Sequence, residues 1–340
     1  MDLNAYLDEV RGLVLDEIER IVPSDSRRNE DLYRLVLDYP LRKAKMLRPA
    51  IAVAVCRAMG GNLQAILPTA AVLELYHNAF LIHDDVEDGS LLRRDKPTLH
   101  QQHGVPIAVN VGDAMLALAL GPLLDNMELL DLGRALRILE AVRRMAVEST
   151  EGQAMELAWV RTRTWDLDER DYLRMVHKKT SWYTFLTPMV VGGIAAGAGP
   201  DEIVRLRLLG SLMGSAFQIK DDLLNLEADE REYGKEIGGD LWEGKHTLML
   251  IHFMRAAPPE DVARARRMLD TPREEKLEED VLWLLARLGE CGSMRHGAEF
   301  ATTRALAAKK RLAGLSETLR PGVHRDFLGE LMTYVVARDK

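Results

Sequence analysis

The feature that most restricts the fold of this chain is the spacing of its apolar residues. They recur about every three to four positions over almost the whole length, the period of an α-helix with one buried face. Leu3, Leu7, Val10, Val14, Ile18 and Ile21 set the pattern at the start. Helix breakers follow at intervals suited to long helices: Pro40, Gly60-Gly61, Pro97, Gly104, Pro122, Gly192-Gly193, Gly199-Pro200, Gly238-Gly239, Pro258-Pro259, Pro272 and Pro321-Gly322. Alternating strand patterns are hard to find, and aromatic residues make up only 6% of the chain. The expectation is an all-α protein in one domain, residues 1–340, with no internal repeat and no linker. The least helical stretch, Glu227 to Lys245, is charged and Gly-rich and reads as a functional loop.

Composition narrows the function. A chain of 340 residues that is 47% hydrophobic and 29% charged can bury a large core and is not disordered. A net charge of −8 argues against a general nucleic-acid binder, which needs surplus Lys and Arg. Two cysteines, Cys56 and Cys291, are too few for a disulfide framework or a Cys-rich zinc site and suit a reducing cytoplasm. The N-terminus lacks the basic start and apolar run of a signal peptide. The longest uncharged stretch, Thr180 to Pro200, holds four glycines and two prolines, so it reads as a closely packed buried helix, and no stable membrane insertion is expected.

Two acidic segments carry the chemistry. In ELYHNAFLIHDDVEDGSLLRRDKPTLH, Asp84, Asp85 and Asp88 form D-D-x-x-D. At about 100° per residue Asp84 and Asp88 share a helix face, and His77 lies close to it. In FQIKDDLLN the same spacing puts Gln218, Asp221, Asp222 and Asn225 on one face. One D-D-x-x-D arises by chance in about one chain of this length in fourteen, so a single copy is weak evidence and two such segments are much stronger. Each is preceded by apolar residues (Ala79, Phe80, Leu81 and Ile82; Ala216, Phe217 and Ile219), which places the acids at the mouth of an apolar cavity. Like charges about 5 Å apart repel by about 3 kcal/mol at an effective dielectric of about 20, and something must offset this. Hard oxygen donors without Cys point to Mg²⁺, which bridges carboxylates to phosphates.

Cations for the remaining phosphate oxygens stand near the same motifs. Lys45 and Arg48 lie in KAKMLRPA, Arg93 and Arg94 follow the first acid motif, Lys179 lies in HKKTSWY, and Lys235 and Lys245 flank the Gly-rich loop. Arg presents a fork to phosphate and Lys a point charge. Neither a GxxxxGK[ST] loop nor a GxGxxG after a strand is present, so the phosphate is not held in a nucleotide-type cradle.

Taken in order, these residues resemble the all-trans polyprenyl diphosphate synthases, most of all their geranylgeranyl and farnesyl members. The resemblance runs from about Lys45 to Thr247 and rests on DDVED with LRR and KPTLH, on EGQ at 151–153, on Lys179-Thr180, and on FQIKDDLLN followed by GDLWEGKHT. It implies a bundle of long helices around a deep central apolar cavity, two or three Mg²⁺ ions per site, and a homodimer. By the same resemblance Lys45, Arg48, His77 and Arg94 bind isopentenyl diphosphate. Arg93, Lys179, Thr180, Gln218, Lys235 and Lys245 hold the allylic diphosphate. Asp84, Asp88 and Asp221 ligate Mg²⁺ with Asp85 and Asp222 assisting, and the catalytic set is Asp84, Asp85, Asp88, Lys179 and Asp221. The chain departs from the family pattern twice: the usual Gly-Gly-Lys-Arg-Leu-Arg-Pro reads Lys43-Ala44-Lys45-Met46-Leu47-Arg48-Pro49, and the third acid of the second motif is Asn225.

The implied reaction is ionisation of the allylic C–O bond, attack by the isopentenyl double bond, and loss of a proton to the released diphosphate. Product length should depend on what lies beneath Asp84. One turn down stand Phe80 and the small Ala79, and a further turn down Tyr76. Two adjacent bulky residues there resemble a floor at C15, so one small residue favours geranylgeranyl over farnesyl diphosphate. A class I terpene cyclase is the nearest rival, but would place Ser or Thr at Asn225 and Glu at Asp229. A silent partner subunit of a synthase would show eroded acid motifs. A membrane-surface scaffold would need a basic amphipathic helix.

Overall fold

Side-chain caps fix where several helices begin. The computed structural model describes residues 2–23, 30–227 and 238–337. Asp2 accepts hydrogen bonds from the N–H groups of Asn4 and Ala5 at 2.9 and 3.3 Å, opening helix α1 (Leu3–Ile21), whose buried face is Tyr6, Leu7, Val10, Val14 and Ile18. Helices α2 (Glu30–Leu41) and α3 (Leu47–Ala58) follow. Asn62 caps α4 (Leu63–Glu87) by accepting from the N–H of Gln64 at 2.8 Å. A hairpin, β1 (Leu92–Arg93) and β2 (Lys96–Pro97), precedes α5 (Leu99–His103), α6 (Val105–Leu118), α7 (Leu120–Leu129) and α8 (Leu132–Thr162). Then come α9 (Glu169–Val176), a π-helix (His177–Leu186), α10 (Thr187–Ala195) and α11 (Pro200–Glu227). The remaining helices are Gly239–Glu243, Leu248–Ala256, Pro259–Leu269, Glu278–Glu290, Ser293–Ala313 and Val323–Ala337. The fold is all-α, as the periodicity predicts. The hairpin, two residues per strand, is too short for any periodicity to announce.

Contacts gather the chain into two units, each with its own core. The first comprises Met1–Ala146, Tyr183–Gly210 and Arg311–Leu331. Its centre is α4, which packs on α1, α3, α6, α7 and α10 and is buried nearly all round. That is why α4 shows no polar stripe until its last turns. Each fully buried Leu or Ile there contributes about 1.5–3 kcal/mol. Buried polar groups on α4 need partners, and Asn78 supplies one: its amide donates to the Glu74 carbonyl at 2.7 Å and to Glu74 Oε1 at 3.0 Å. The Thr180–Pro200 stretch is helical, and its π and α10 residues are almost all buried, as expected. Gly192 and Gly193 do not break it. They lie inside α10, where a Cβ on Gly192 would sit 2.5 Å from the Ala52 carbonyl oxygen, so they are glycines of close packing.

The second unit comprises Val147–Trp182, Ser211–Lys310 and Met332–Lys340. Its core joins Tyr172, Met175 and Val176 of α9 to Ile219 and Leu223 of α11 and to Leu248, Met249 and Phe253. Two segments, Leu63–Glu87 and Val105–Leu129, are apolar and long enough to cross a membrane by length and composition. The first is mostly buried in its own fold. The second leaves Val105, Ile107, Val109, Leu120 and Leu124 exposed.

Candidate active site

In the first unit the acidic motif occupies the last turn of α4 and the residue that caps it. Asp88 closes the helix, its N–H donating to the Asp84 carbonyl at 2.8 Å, and Gly89 turns the chain away at φ +63°. No basic residue stands in that turn. The carboxylates of Asp84, Asp85 and Asp88 therefore sit at the negative end of the helix dipole, where cations are favoured.

The hairpin supplies the first cation. Arg94 and Asp95 lie at φ +53° and +62° between β1 and β2, the pattern of a type I′ turn, which matches the twist of a two-residue hairpin. This turn folds Arg93 back onto the helix end. Arg93 Nε donates to Asp85 Oδ1 at 3.0 Å and its Nη2 donates to the same oxygen, while the Tyr39 hydroxyl donates to Asp85 Oδ2 at 2.6 Å. Burial and the Asp85 carboxylate push the Tyr39 phenol well above its ordinary value. Arg42 anchors the hairpin, donating to the carbonyls of Arg93 and Pro97 at 2.9 and 3.0 Å and to Asp38 Oδ1 at 2.7 Å. Asp85 is thus fully engaged and only 1% exposed, whereas Asp84 and Asp88 are half-buried.

A cationic pocket adjoins this helix end within the same unit. The His77 ring lies 5.9 Å from the Tyr183 ring, and the Arg48 guanidinium stacks 4.3 Å above Tyr183. Arg48 Nη2 donates to Thr184 Oγ1 at 2.8 Å, while its buried Nε and His77 Nδ1 have no protein partner. Burial, then Arg48, Arg94 and Arg93, hold the His77 imidazole well below its usual pKa, so the ring is neutral. Arg94 donates to the Tyr39 carbonyl at 2.9 Å. Lys45 is exposed. Met46, the residue before α3, takes the left-handed conformation at φ +45°, while Lys43 and Ala44 do not. The side chains in place of the two usual glycines therefore sit in ordinary backbone. Beneath Asp84, Phe80 meets Tyr76 edge-on at 5.9 Å and Tyr183 at 5.8 Å, while Ala79 is fully buried.

The second unit repeats the logic of the first. Asp221 and Asp222 lie in the closing turns of α11, with no basic residue in the last turn. Again the inner acid is engaged: the Tyr172 hydroxyl donates to Asp222 Oδ2 at 2.6 Å and Gln218 Nε2 to Oδ1 at 2.7 Å. Burial, then Asp240, push the Asp222 carboxyl up to about 8, with the two donated hydrogen bonds opposing the rise and Asp221 adding to it. Thr180 Oγ1 donates to Gln218 Oε1 at 2.7 Å, and Lys179 pairs with Glu156. Both come from the π-helix, whose wider turn is a frequent mark of function. Gly152 of the EGQ segment and Gly214 let α8 and α11 approach it, because a Cβ at either would overlap Lys179 or Ser181. Asn225 Oδ1 accepts from the Asp240 N–H at 3.0 Å, so this oxygen ties down Gly239–Glu243. Lys245 Nζ pairs with Glu243 at 2.5 Å. Lys235 lies outside the described residues.

These donors suit a hard divalent ion such as Mg²⁺. In each unit they are carboxylates at the negative end of a helix, and in the second unit burial, followed by Asp240, raises the Asp222 carboxyl. Among the described residues no three acidic, His or Cys side chains converge to enclose a metal. Sequence reasoning missed Tyr39, Arg42, Glu156, Tyr172 and Tyr183. Tyr39 and Tyr172 stand 46 and 50 residues before the acids they bond, and no local pattern marks them.

A helical scaffold that ends in carboxylates beside guanidinium groups is equipped to handle polyanions with the help of cations. Comparison with known proteins gives that chemistry a family. Residues 30–287 match the family model described as polyprenyl synthetase. The geranylgeranyl pyrophosphate synthase of Geoglobus acetivorans is 32% identical over 340 residues, covering 96% of each chain. The octaprenyl diphosphate synthase of Escherichia coli is 35% identical over 264 residues, 78% of this chain and 79% of that one. The crystal structure of geranylgeranyl pyrophosphate synthetase from Pyrococcus horikoshii matches with a TM-score of 0.88 at 30% identity, covering 99% of this chain and 98% of that chain. The chain belongs to the polyprenyl synthetase family and is a trans-prenyltransferase.

Proposed function

We propose that the protein condenses isopentenyl diphosphate with an allylic diphosphate, head to tail, and that its product is the short-chain geranylgeranyl diphosphate. Farnesyl diphosphate is the alternative product. The observation that carries the reading is the layering along α4. Asp84 and Asp88 end the helix, His77 sits among Arg48, Arg93 and Arg94, and Phe80 and Tyr76 line the turns below.

In this reading Asp84, Asp88 and Asp221 hold Mg²⁺, which supplies positive charge to the diphosphate leaving group when bound. Asp85 acts through Arg93, and Asp222 through Gln218, by fixing the groups that face the allylic diphosphate. Lys179, Thr180, Lys235 and Lys245 complete that set. Arg48 and Arg94 pair with the second diphosphate, and neutral His77 contributes a hydrogen bond rather than a charge. Lys45 reaches the same diphosphate from the surface. The allylic C–O bond ionises, the isopentenyl double bond attacks the cation to form the new C–C bond, and the lost proton passes to the released diphosphate. Apolar side chains below keep water from quenching the cation.

Residues 1–340 act as a single domain in this proposal. The exposed apolar face on Val105–Leu129 supports a homodimer, and the two free cysteines suit the cytoplasm. The test is product analysis with each allylic starter, isopentenyl diphosphate and Mg²⁺. A C20 product is expected from wild type and a longer one from Phe80→Ala. An unchanged length in the variant removes Phe80 as the stop. Turnover of farnesyl diphosphate without isopentenyl diphosphate would instead indicate a cyclase, and no activity of the isolated chain a silent subunit.

A further inference from the structure

The segment that presents Lys245 is held from behind by a residue far along the chain. Lys276 follows the short turn Arg273–Glu275, and its side chain is nine-tenths buried. Its ammonium donates to the Leu241 carbonyl at 3.1 Å and to the Trp242 carbonyl at 2.6 Å. Both carbonyls belong to Gly239–Glu243, the single helical turn that leads through Gly244 into Lys245. The Leu241 carbonyl also accepts from the Gly244 N–H at 3.3 Å, and a cation at this helix C-terminus fills remaining lone pairs of the last carbonyls and suits the local dipole.

The connection is tight at each further step. Gly244 turns at φ +74°, and a Cβ there would lie 3.3 Å from the Leu269 carbonyl oxygen and 3.8 Å from Lys276 Nζ. The Lys245 N–H donates to the Asp240 carbonyl at 2.8 Å, so Lys245 is fastened to the same turn that Lys276 caps. Glu243, which pairs with Lys245, lies 3.8 Å from Arg273, three residues before Lys276.

We propose that Lys276 is a positioning residue for Lys245: through the carbonyls of Leu241 and Trp242 it fixes the turn that aims Lys245 at the allylic diphosphate. This rests on the reading of Lys245 as an allylic diphosphate ligand. The charged groups facing Lys276 are Arg273, Glu243 and Asp270. Burial, followed by Arg273, lowers its pKa to about 8, with Glu243 and Asp270 opposing. Above that pH the ammonium loses a proton and its charge-assisted bonds weaken to ordinary ones.

Steady-state kinetics with geranyl diphosphate and isopentenyl diphosphate test this in Lys245→Ala, Lys276→Met, Lys276→Arg and the double variant K245A/K276M. Lys276→Met should raise KM for geranyl diphosphate about tenfold and leave KM for isopentenyl diphosphate within about twofold, the size of one charge-assisted hydrogen bond. The double variant should be no worse than Lys245→Ala, because Lys276 acts only through Lys245. In wild type the geranyl diphosphate KM should rise between pH 8 and 9 by more than in Lys276→Arg, which stays charged, the rise common to both belonging to the Asp222 carboxyl. Equal rises in both KM values, or additive losses in the double variant, overturn the proposal. A normal geranyl diphosphate KM in Lys245→Ala overturns the reading of Lys245 instead. If Lys276→Met does not fold, the pH profiles decide: a flat wild-type profile, or the same rise in Lys276→Arg, overturns the proposal.

Discussion

Asp84 and Asp85 are neighbours in the chain, yet one is half-buried at the helix end and the other is locked between Arg93 and Tyr39. Asp221 and Asp222 divide in the same way, with Tyr172 in the place of Tyr39. The two positions should therefore answer differently to substitution. Asp84→Ala should abolish condensation while changing urea stability by no more than about 1 kcal/mol, the centre of the range for single substitutions. Asp85→Ala strands a buried guanidinium and phenol and should lower stability by about 3 kcal/mol as well as activity. Near-normal turnover by Asp84→Ala, or an unmoved urea midpoint in Asp85→Ala, would contradict this division. At this scale the acids and cations were legible, because carboxylates one helical turn apart and guanidiniums close by in the chain are visible as spacing. Which oxygen of each pair is already taken was not, since it depends on tyrosines 46 and 50 residues away.

Among the elements, α4 and the π-helix set the geometry. Helix α4 runs 25 residues through its unit and brings out two aspartates in its last turn and a third at its cap, with no basic residue in that turn. The π-helix presents Lys179 and Thr180, and α8 and α11 approach it at Gly152 and Gly214. Gly152→Ala should push α8 off the Lys179 backbone, lowering stability by about 1–3 kcal/mol, with a drop in turnover measured beside thermal denaturation. An unchanged Tm would show that the segment yields more easily than its packing implies. The helices themselves could be read from their period, but not every breaker ends one: Pro40 lies inside α2, Pro122 inside α7 and Gly192-Gly193 inside α10. The hairpin and the π-turn could not, because the first depends on two residues in the left-handed region and the second on packing around a widened turn.

For the whole molecule, the exposed apolar face on Val105–Leu129 bears on assembly. Charge on this face should split the proposed homodimer, so Leu124→Glu should sediment as a monomer where the wild type sediments as a dimer. A wild-type chain that is monomeric at micromolar concentration, or an undissociated variant, would remove this face from the interface.

The sequence by itself determined the all-α class and the family, because helical period and an ordered set of Asp, Arg and Lys motifs are properties of neighbours in the chain. Only the tertiary structure decided that Asp85 is held by Arg93 and Tyr39 and Asp222 by Tyr172 and Gln218, that His77 is neutral among guanidiniums, and that Lys276 bonds the Leu241 and Trp242 carbonyls. Burial and hydrogen bonding arise between residues that folding brings together, and a linear pattern holds no record of those distances.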